Sequence, residues 1–262
     1  MDHTARFAAL MRESAPDLDA VCTAIAQHRA PSLADDEIGI QLDELAYGYL
    51  HSTDDRTGAS LCRYLFVDHG FSGNAAHYYD AANSYLDLVL DRRLGIPLSL
   101  SVLAIEVGRR VEVPLLAVGM PGHVLLRERD DPGSFHDPFA ATVGLDFAEC
   151  EELFHQMHGP ATQFDVSMLA PTPTIQLTAR MLNNLTHVYL HEPDLASLAW
   201  VLRLRTMIPG VEVDVVRQLG GVLSSLGHFW EAASVFEDLA ERQPELADQH
   251  TSAAVRLRAN SN

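Results

Sequence analysis

The chain has 262 residues, of which 47% are hydrophobic and 21% are charged. This composition is typical of a soluble globular protein, and the length suits one large domain or two small ones with a sizeable core. All 18 basic residues are arginine, and 36 acidic residues give a net charge of −18. The lack of lysine excludes a Walker A phosphate loop, a pyridoxal Schiff base and the Ser-Lys hydrolases, because each of them needs that side chain.

The strong negative charge also bears on the choice of partner. It repels a phosphate backbone, and no arginine-rich stripe or platform of aromatic and basic residues offsets it, so we expect no nucleic-acid partner. A basic partner or an amine-bearing ligand is the more natural expectation.

The three cysteines, Cys22, Cys62 and Cys150, are widely spaced and form no CxxC pair. Neither a disulfide framework nor a structural zinc site is indicated, and we expect buried or free thiols. The first residues lack the apolar stretch of a signal peptide, and no apolar run is long enough to span a bilayer. The expectation is therefore a cytoplasmic protein that does not contact membranes.

The first half of the chain predicts a helical array followed by one buried helix. Residues 17–65 have helical periodicity, and a further helix is predicted from a cap at Asn83 to Leu94, ended by Gly95. The next helix, Pro97 to Val111, is apolar on nearly every side, which indicates a central and buried position.

Three short extended segments follow this central helix. Leu115 to Met120, His123 to Glu128 and Ser134 to Phe139 are separated by Pro-Gly and Asp-Pro-Gly turns, which predicts a small antiparallel sheet. The sequence thus favours an α+β fold in which the central helix packs on this sheet.

The last part of the chain reads as paired helices. Residues 161–174 are rich in Pro and Thr, which predicts a linker between a domain of residues 1–160 and a helical segment of residues 175–262. Aligning the segment on itself with a shift of 34 residues superimposes apolar positions, a period typical of tetratricopeptide repeats. Two repeats rarely stand alone, so we expect this tail to dock on the first domain. Two generic helical hairpins with a coincidental period remain an open alternative.

Four motifs in one order carry the most specific signal. They are Asn83-Ser84-Tyr85-Leu86, the run from Arg92 through Gly95-Ile96-Pro97 to Ser101, Pro121-Gly122-His123, and His136-Asp137-Pro138-Phe139. With these motifs the chain resembles the transglutaminase-like superfamily, and within it the bacterial SirB-type proteins, which join such a core to a tetratricopeptide-type tail. The resemblance implies a papain-like core with a nucleophile at the start of the central helix.

The same resemblance implies that a His on the adjacent strand acts as base and that an Asp on the next strand orients it. His123 and Asp137 have the right type and order for these roles. No Cys lies near the start of the central helix, where Pro97 occupies the expected position. Ser99 is the nearest candidate nucleophile and Ser101 the next. Ser99 at a helix start is also typical of a capping residue, and the His-Asp pair also of a hairpin contact.

Two functions of different class follow from this pattern. The leading hypothesis is a non-catalytic binding or regulatory module that has lost the Cys nucleophile. The alternative is an acyl-transfer or amide-hydrolysing enzyme with a Ser99–His123–Asp137 triad, in which Ser99 forms an acyl-enzyme. Recruitment of the His-Asp pair to a different reaction is a third possibility.

The binding hypothesis assigns contact residues to both parts of the chain. We expect Asn83 and Ser101 to contribute in the core and Tyr189 and Trp230 in the tail, where a concave groove would hold a protein or peptide. We expect no cofactor. The pairs His155/His158 and His187/His191 have helical spacing, but no third ligand can be named, so we predict no metal site.

Overall fold

Helices dominate the computed structural model, which describes residues 3–260. The α-helices are α1 (His3–Leu10), α2 (Leu18–Arg29), α3 (Glu37–Ser52), α4 (Gly58–Arg63), α5 (Leu86–Arg92), α6 (Pro97–Arg110), α7 (Phe147–His158), α8 (Thr174–His191), α9 (Leu195–Thr206), α10 (Val213–Ser225), α11 (Phe229–Arg242) and α12 (Ala247–Ala259). The strands are β1 (Ser72–Gly73), β2 (Leu94–Gly95), β3 (Leu115–Val118), β4 (Leu125–Glu128), β5 (Phe135–Asp137) and β6 (Thr142–Leu145).

Contacts divide the chain into two compact units. One contains residues 15–181, and the other contains residues 182–260 together with residues 3–14. The first is called the core unit below and the second the tail unit. The domain limits expected at residues 160 and 174 stay predictions. Among residues 3–260, no helix has both the length and the apolar character needed to cross a bilayer.

Helix α6 lies at the centre of the core unit. Residues 97–104 of this helix are all buried, as an apolar surface on nearly every side requires. Pro97 occupies its first turn, where a missing backbone N–H costs nothing. The helix packs against α3 on one side and β3 on another.

The segment before α6 differs from its prediction. Asn83 does not cap a long helix, because it ends a short 3-10 turn, Ala81–Asn83, and α5 begins after Tyr85. Gly95 does not end α5 either, since Arg93 takes the left-handed conformation at that helix end, with φ 56°. Leu94 and Gly95 instead pair in parallel with Ser72 and Gly73, so the extended backbone of β2 separates α5 from α6.

The antiparallel sheet has the order β3-β4-β5-β6. The three predicted strands form in shorter versions, and β6 is an additional strand that the sequence did not predict. Strand β6 has only four residues, none of them buried, and contains Gly144 at φ +79°, so its local strand signal is weak. Helix α7 contributes Cys150 and Phe154 to the apolar cluster beneath this sheet, and Leu169 from the expected linker joins them.

The tail unit is a series of helices that pack on their neighbours in sequence. Helix α10 packs on α9 and α11, and α11 packs on α12. Leu202, Leu219, Leu223 and Ala232 lie in its apolar core. Gly220 permits the closest approach, because a Cβ at this position would lie 2.9 Å from the ring of Phe236.

Candidate functional site

His123 and Asp137 meet in the core unit. The Nε2 atom of His123 lies 2.9 Å from Oδ2 of Asp137, and their side chains are 8% and 4% exposed. The carboxylate oxygen lies off the direction of the ring N–H, so Nε2 has no aligned hydrogen-bond partner among residues 3–260. The structure therefore brings together two of the three residues of the predicted triad, although Nε2 of His123 has no aligned hydrogen bond.

A tight turn positions His123. The predicted Pro-Gly turn forms with Gly122 at φ +74°, and the backbone N–H of His123 donates to the carbonyl of Met120 at 3.0 Å. His123 therefore lies in the turn before β4, whereas the sequence predicted it at the start of the strand. The turn directs the imidazole towards the end of β5, where Asp137 lies.

The two oxygens of Asp137 have separate partners. Oδ1 accepts the backbone N–H groups of Phe139 and Ala140 at 2.9 and 3.2 Å, which closes the turn after β5. This is the local backbone bonding for which Asp is favoured in turns. Oδ2 is left to face the His123 ring. The turn thus fixes the orientation of the carboxylate.

An aromatic wall covers the histidine. The ring of Phe139 stands perpendicular to that of His123, with centroids 6.3 Å apart, and the centroid of the Tyr78 ring lies 6.1 Å from that of Phe139. Gly73 makes room for Phe139, because a Cβ there would lie 2.4 Å from its ring. Tyr78 was missed by sequence reasoning, since it lies in an irregular loop.

Arg180 is the second residue that sequence reasoning missed. Its Nη2 donates to the carbonyls of His123 at 2.9 Å and Met120 at 3.3 Å, so it holds both ends of the turn. Burial lowers the pKa of its guanidinium. Gly119 permits this approach, because a Cβ there would lie 2.4 Å from Nη1. No local pattern reveals the role of Arg180, which follows the candidate motifs by more than forty residues of chain.

The predicted nucleophiles are bonded to the backbone. Ser99 is 2% exposed, and its hydroxyl donates to the carbonyl of Asn83 at 2.6 Å while accepting the N–H of Ile96 at 3.1 Å. The Ser101 hydroxyl donates to the carbonyl of Pro97 at 2.8 Å. Among residues 3–260, neither serine has a hydrogen bond to His123. Ser99 therefore has the bonds of a capping residue.

Asn83 forms a buried polar cluster beside Ser99. Its side chain is fully buried, accepts from Asn74 Nδ2 at 3.0 Å and donates to the carbonyls of His77 and Tyr78 at 2.7 and 3.2 Å. These bonds close the loop from Asn74 to Asn83. All the hydrogen-bonding atoms of this amide are thus occupied by the protein itself, and its expected role in binding stays a prediction.

The cysteines are buried, as the sequence led us to expect. Burial raises the pKa of all three thiols, to about 12 for Cys150 and well above the usual range for Cys22. A thiol with a raised pKa is a poor source of thiolate. None of the three has the electrostatic environment of a reactive cysteine.

His136 precedes Asp137 and lies in different surroundings. It is completely buried, and its Nδ1 accepts the backbone N–H of Gly144 at 3.1 Å. Its Nε2 lies 3.8 Å from Oε1 of Glu128, beyond hydrogen-bond range. Burial lowers the pKa of His136 to about 4, so the ring is neutral at pH 7. Among residues 3–260, no group of three or more His, Cys, Asp or Glu side chains is arranged to hold a metal ion.

The two predicted contact residues of the tail unit are placed differently. Tyr189 is partly buried against the apolar core of the tail unit, with its ring 6.4 Å from that of Trp200. Trp230 is 59% exposed, and the guanidinium of Arg258 lies 4.3 Å above its ring. Arg258 in turn binds Glu237 through two hydrogen bonds. Trp230 thus presents more aromatic surface to solvent than Tyr189.

Comparison with curated proteins finds relatives that align with more than half of this chain. A UPF0162 protein of Xylella fastidiosa (strain Temecula1) is 38% identical over 175 residues, which are 65% of this chain and 62% of that protein. UPF0162 protein PA3419 of Pseudomonas aeruginosa is 33% identical over 156 residues, 57% of this chain and 56% of the relative. The chain therefore spans less than two thirds of the length of these relatives.

A shorter match is found with a eukaryotic protein. F-box only protein 21 of Mus musculus is 51% identical over 57 residues, which are 22% of this chain and 9% of that protein. No solved structure gives a significant match. The family profile described as transglutaminase-like superfamily matches residues 17–183, which contain α6, the sheet and the His123–Asp137 pair. The chain belongs to the transglutaminase-like superfamily.

Proposed function

We propose that this chain is a non-catalytic binding module of the SirB type, in which a transglutaminase-like core without a nucleophile is joined to a tetratricopeptide-like tail. The bonding of Ser99 is the main support. Its single hydroxyl proton is donated to the Asn83 carbonyl at 2.6 Å, which leaves none for His123 to remove. A general base must reach the proton that it abstracts, so the Ser99–His123–Asp137 enzyme lacks its first step in this arrangement.

The cysteines support the same proposal. Each thiol is buried and has a raised pKa, whereas nucleophilic cysteines are exposed to substrate and have a lowered pKa. The core therefore retains the base and the orienting carboxylate of its superfamily without an activated partner. A His-Asp pair without a nucleophile still offers an imidazole and a carboxylate to a bound group.

The helix spacing supports the tetratricopeptide-like assignment of the tail. Shifting α10 by 34 residues gives the bounds of α12, and the same shift moves the start of α9 onto the start of α11. The close approach of Gly220 to Phe236 accounts for the small residue in the Leu-Gly pair of the repeat pattern. Tandem helical repeats present extended surfaces to peptides, so we assign partner binding to this unit.

The charge favours a basic peptide as the partner. The chain carries a net charge of −18, and α11 carries Glu231, Glu237 and Glu241 as well as Trp230. Glu231 pairs with Arg203, and Glu237 pairs with Arg258, whose guanidinium lies over the Trp230 ring, so this surface already holds arginine side chains of the chain itself. Aromatic side chains with adjacent acids suit arginine or lysine side chains, through cation–π and ionic contacts. The partner is accordingly expected to bind more weakly as salt increases.

Covalent labelling tests the non-catalytic part. The native chain is treated with a fluorophosphonate and with iodoacetamide, followed by peptide mass spectrometry, alongside Ser99→Ala and His123→Ala variants. We expect no modification of Ser99 and only slow modification of the cysteines. Labelling of Ser99 in the native chain that disappears in the His123→Ala variant would establish the triad and contradict the proposal.

Peptide selection tests the partner. A peptide library is panned against the immobilised chain, and enriched peptides are titrated while the emission of the two tryptophans, Trp200 and Trp230, is followed. We expect basic peptides whose binding weakens by about tenfold in Trp230→Ala and with increasing salt. Trp200→Phe also removes one of the two tryptophans, so it is the control for a loss of emission that does not come from weaker binding. Enrichment of acidic peptides, or binding that is unchanged in Trp230→Ala, would refute the assignment.

A further inference from the structure

A cavity of about 360 Å³ opens in the core unit between α3 and the end of α5. Its apolar lining comes from Leu45 and Gly48 of α3, Phe71 before β1 and Leu90 of α5. No lining residue is shared with the His123–Asp137 site. The volume is within the range of pockets that bind small molecules.

One wall of the cavity is an unusual helical turn. The chain leaves the α conformation at Tyr64 and forms a π-helical turn, Tyr64–Asp68, closed by the N–H of His69 donating to the Tyr64 carbonyl at 3.0 Å. The turn brings the rings of Tyr64 and His69 within 4.0 Å of each other. Single π turns are uncommon and are often found at functional sites. Here the turn supplies two aromatic rings to one wall of the cavity.

Tyr64 fits against the backbone of α3. Its hydroxyl donates to the carbonyl of Leu45 at 3.2 Å. A Cβ at position 48 would lie 2.3 Å from the hydroxyl oxygen of Tyr64. Gly48 is therefore required for the ring to occupy this position. The glycine costs helix stability in the middle of α3, and the packing of Tyr64 offsets this cost.

The rim contains a second unusual backbone conformation, at Arg93. Its φ of 56° is left-handed, which is uncommon for a residue other than glycine and is typical of constrained sites. Its Nη1 donates to the His69 carbonyl at 2.9 Å, and the guanidinium carbon lies 5.9 Å from the centroid of Phe71. Within residues 3–260, Nε and Nη2 of Arg93 have no hydrogen-bond partner. The guanidinium is thus held in place while part of it stays available.

A carboxylate lines the same cavity. Glu44 of α3 has no ion pair or hydrogen bond with the other described residues, and Gln41 one turn earlier adds an amide. The cavity thus presents one cation and one anion that do not neutralise each other, above an apolar surface. A ligand that carries both charges and an apolar group would satisfy all three features.

We propose that this cavity binds a free α-amino acid with an apolar side chain. Arg93 pairs with the carboxylate, as guanidinium groups do in two parallel hydrogen bonds, and Glu44 accepts the ammonium group. The side chain of the ligand lies against Leu45 and the accessible edges of Phe71 and Leu90. The site is independent of the proposed peptide-binding function and gives a role to Arg93, which belongs to the motif that carried the resemblance.

Calorimetric titration of the full chain tests this site with three probes that share one apolar group. They are L-phenylalanine, phenethylamine, which lacks the carboxylate, and 3-phenylpropionate, which lacks the amine. We expect L-phenylalanine to bind and each of the other two to bind at least about tenfold more weakly, because each loses one ionic contact. No binding of L-phenylalanine at the highest soluble concentration, or equal binding of all three, would overturn the proposal.

Two variants assign the contacts. Glu44→Gln replaces an exposed carboxylate with its isostere and should weaken L-phenylalanine binding about tenfold while leaving 3-phenylpropionate unaffected. Arg93→Gln should weaken both ligands. Asp36→Asn, at the start of the same helix and without a side-chain cap, is the matched control. If Glu44→Gln binds L-phenylalanine as tightly as the native chain does, the site is not this cavity and the proposal is wrong.

Discussion

Ser99 and His123 differ in how completely they are hydrogen-bonded. The Ser99 hydroxyl, at the start of α6, both donates to and accepts from backbone groups. Nε2 of His123 faces a carboxylate oxygen of Asp137 without an aligned hydrogen bond. Both side chains are buried, so the difference is not one of solvent access. Buried polar groups are normally hydrogen-bonded, and an incompletely bonded one merits an explanation. The serine therefore serves the fold, while the histidine retains capacity for a ligand.

The largest expected effect comes from the cluster that holds Ser99. Asn83→Ala removes three hydrogen bonds, leaves Asn74 Nδ2 unpaired and creates a cavity, so we expect a loss of about 4 kcal/mol in unfolding free energy, measured by urea denaturation. Asn83→Asp keeps the acceptor for Asn74 but sets a buried carboxylate oxygen against the His77 and Tyr78 carbonyls, so we expect it to lose at least as much. A stable Asn83→Ala variant would show that this residue is free to serve in binding, as the sequence predicted. It would also weaken the contrast between the bonded Ser99 and the incompletely bonded His123.

The second effect is the dependence of stability on pH that His136 introduces. Burial lowers the pKa of His136 to about 4, while an unfolded histidine titrates near 6.5. Between these values the unfolded state binds more protons than the folded state, so the unfolding free energy should fall by up to about 3 kcal/mol as the pH drops from 6.5 to 4. Below pH 4 the contribution of His136 should stay constant.

His136→Asn isolates this contribution, because the other titrating groups remain. They include Glu128, with a carboxylate oxygen 3.8 Å from Nε2, and Asp131. The native chain should lose more stability than the variant over this pH range when both are followed by thermal unfolding. Parallel curves for the two proteins would mean that His136 is not held neutral by burial.

Much of the core could be predicted from the sequence where the signal is local. The apolar surface of residues 97–111 indicated a buried helix, and alternation with Pro-Gly turns indicated three of the four strands of the sheet. The helix and the strands depend on periodicity and turn chemistry, which neighbouring residues determine. The proximity of His123 and Asp137 was implied by the resemblance to the transglutaminase-like superfamily, and not by a local pattern.

The remainder depends on contacts that sequence spacing does not contain. Arg180 reaches the His123 carbonyl from α8, and Asn83 bonds to a loop instead of capping a helix. Arg93 adopts the left-handed conformation that the sequence assigned to Gly95, because the following residues pair with β1. In each case a tertiary contact outweighs the local preference, which a single sequence cannot reveal.

The third effect tests whether Ser99 is structural. Ser99→Ala leaves the Asn83 carbonyl and the Ile96 N–H without a buried partner, so we expect a loss of about 2 kcal/mol. Ser101→Ala removes one hydrogen bond within the helix and is the matched control, with a loss of about 1 kcal/mol or less. A catalytic serine is often replaced without loss of stability, so an unchanged or more stable Ser99→Ala variant would support the triad.

The smallest effect concerns the His123–Asp137 pair itself. A double-mutant cycle with His123→Ala, Asp137→Ala and the double variant removes the separate costs, including the turn bonds of Asp137 Oδ1. At 2.9 Å and with both side chains buried, the two groups should be coupled by about 1 kcal/mol in urea denaturation. The misaligned ring N–H is the reason to expect no more than this. A coupling of several kcal/mol would mean that the His123–Asp137 pair serves the fold, as the Ser99 hydrogen bonds do. A coupling of about 1 kcal/mol means that the imidazole can exchange Asp137 for a ligand at little cost in free energy.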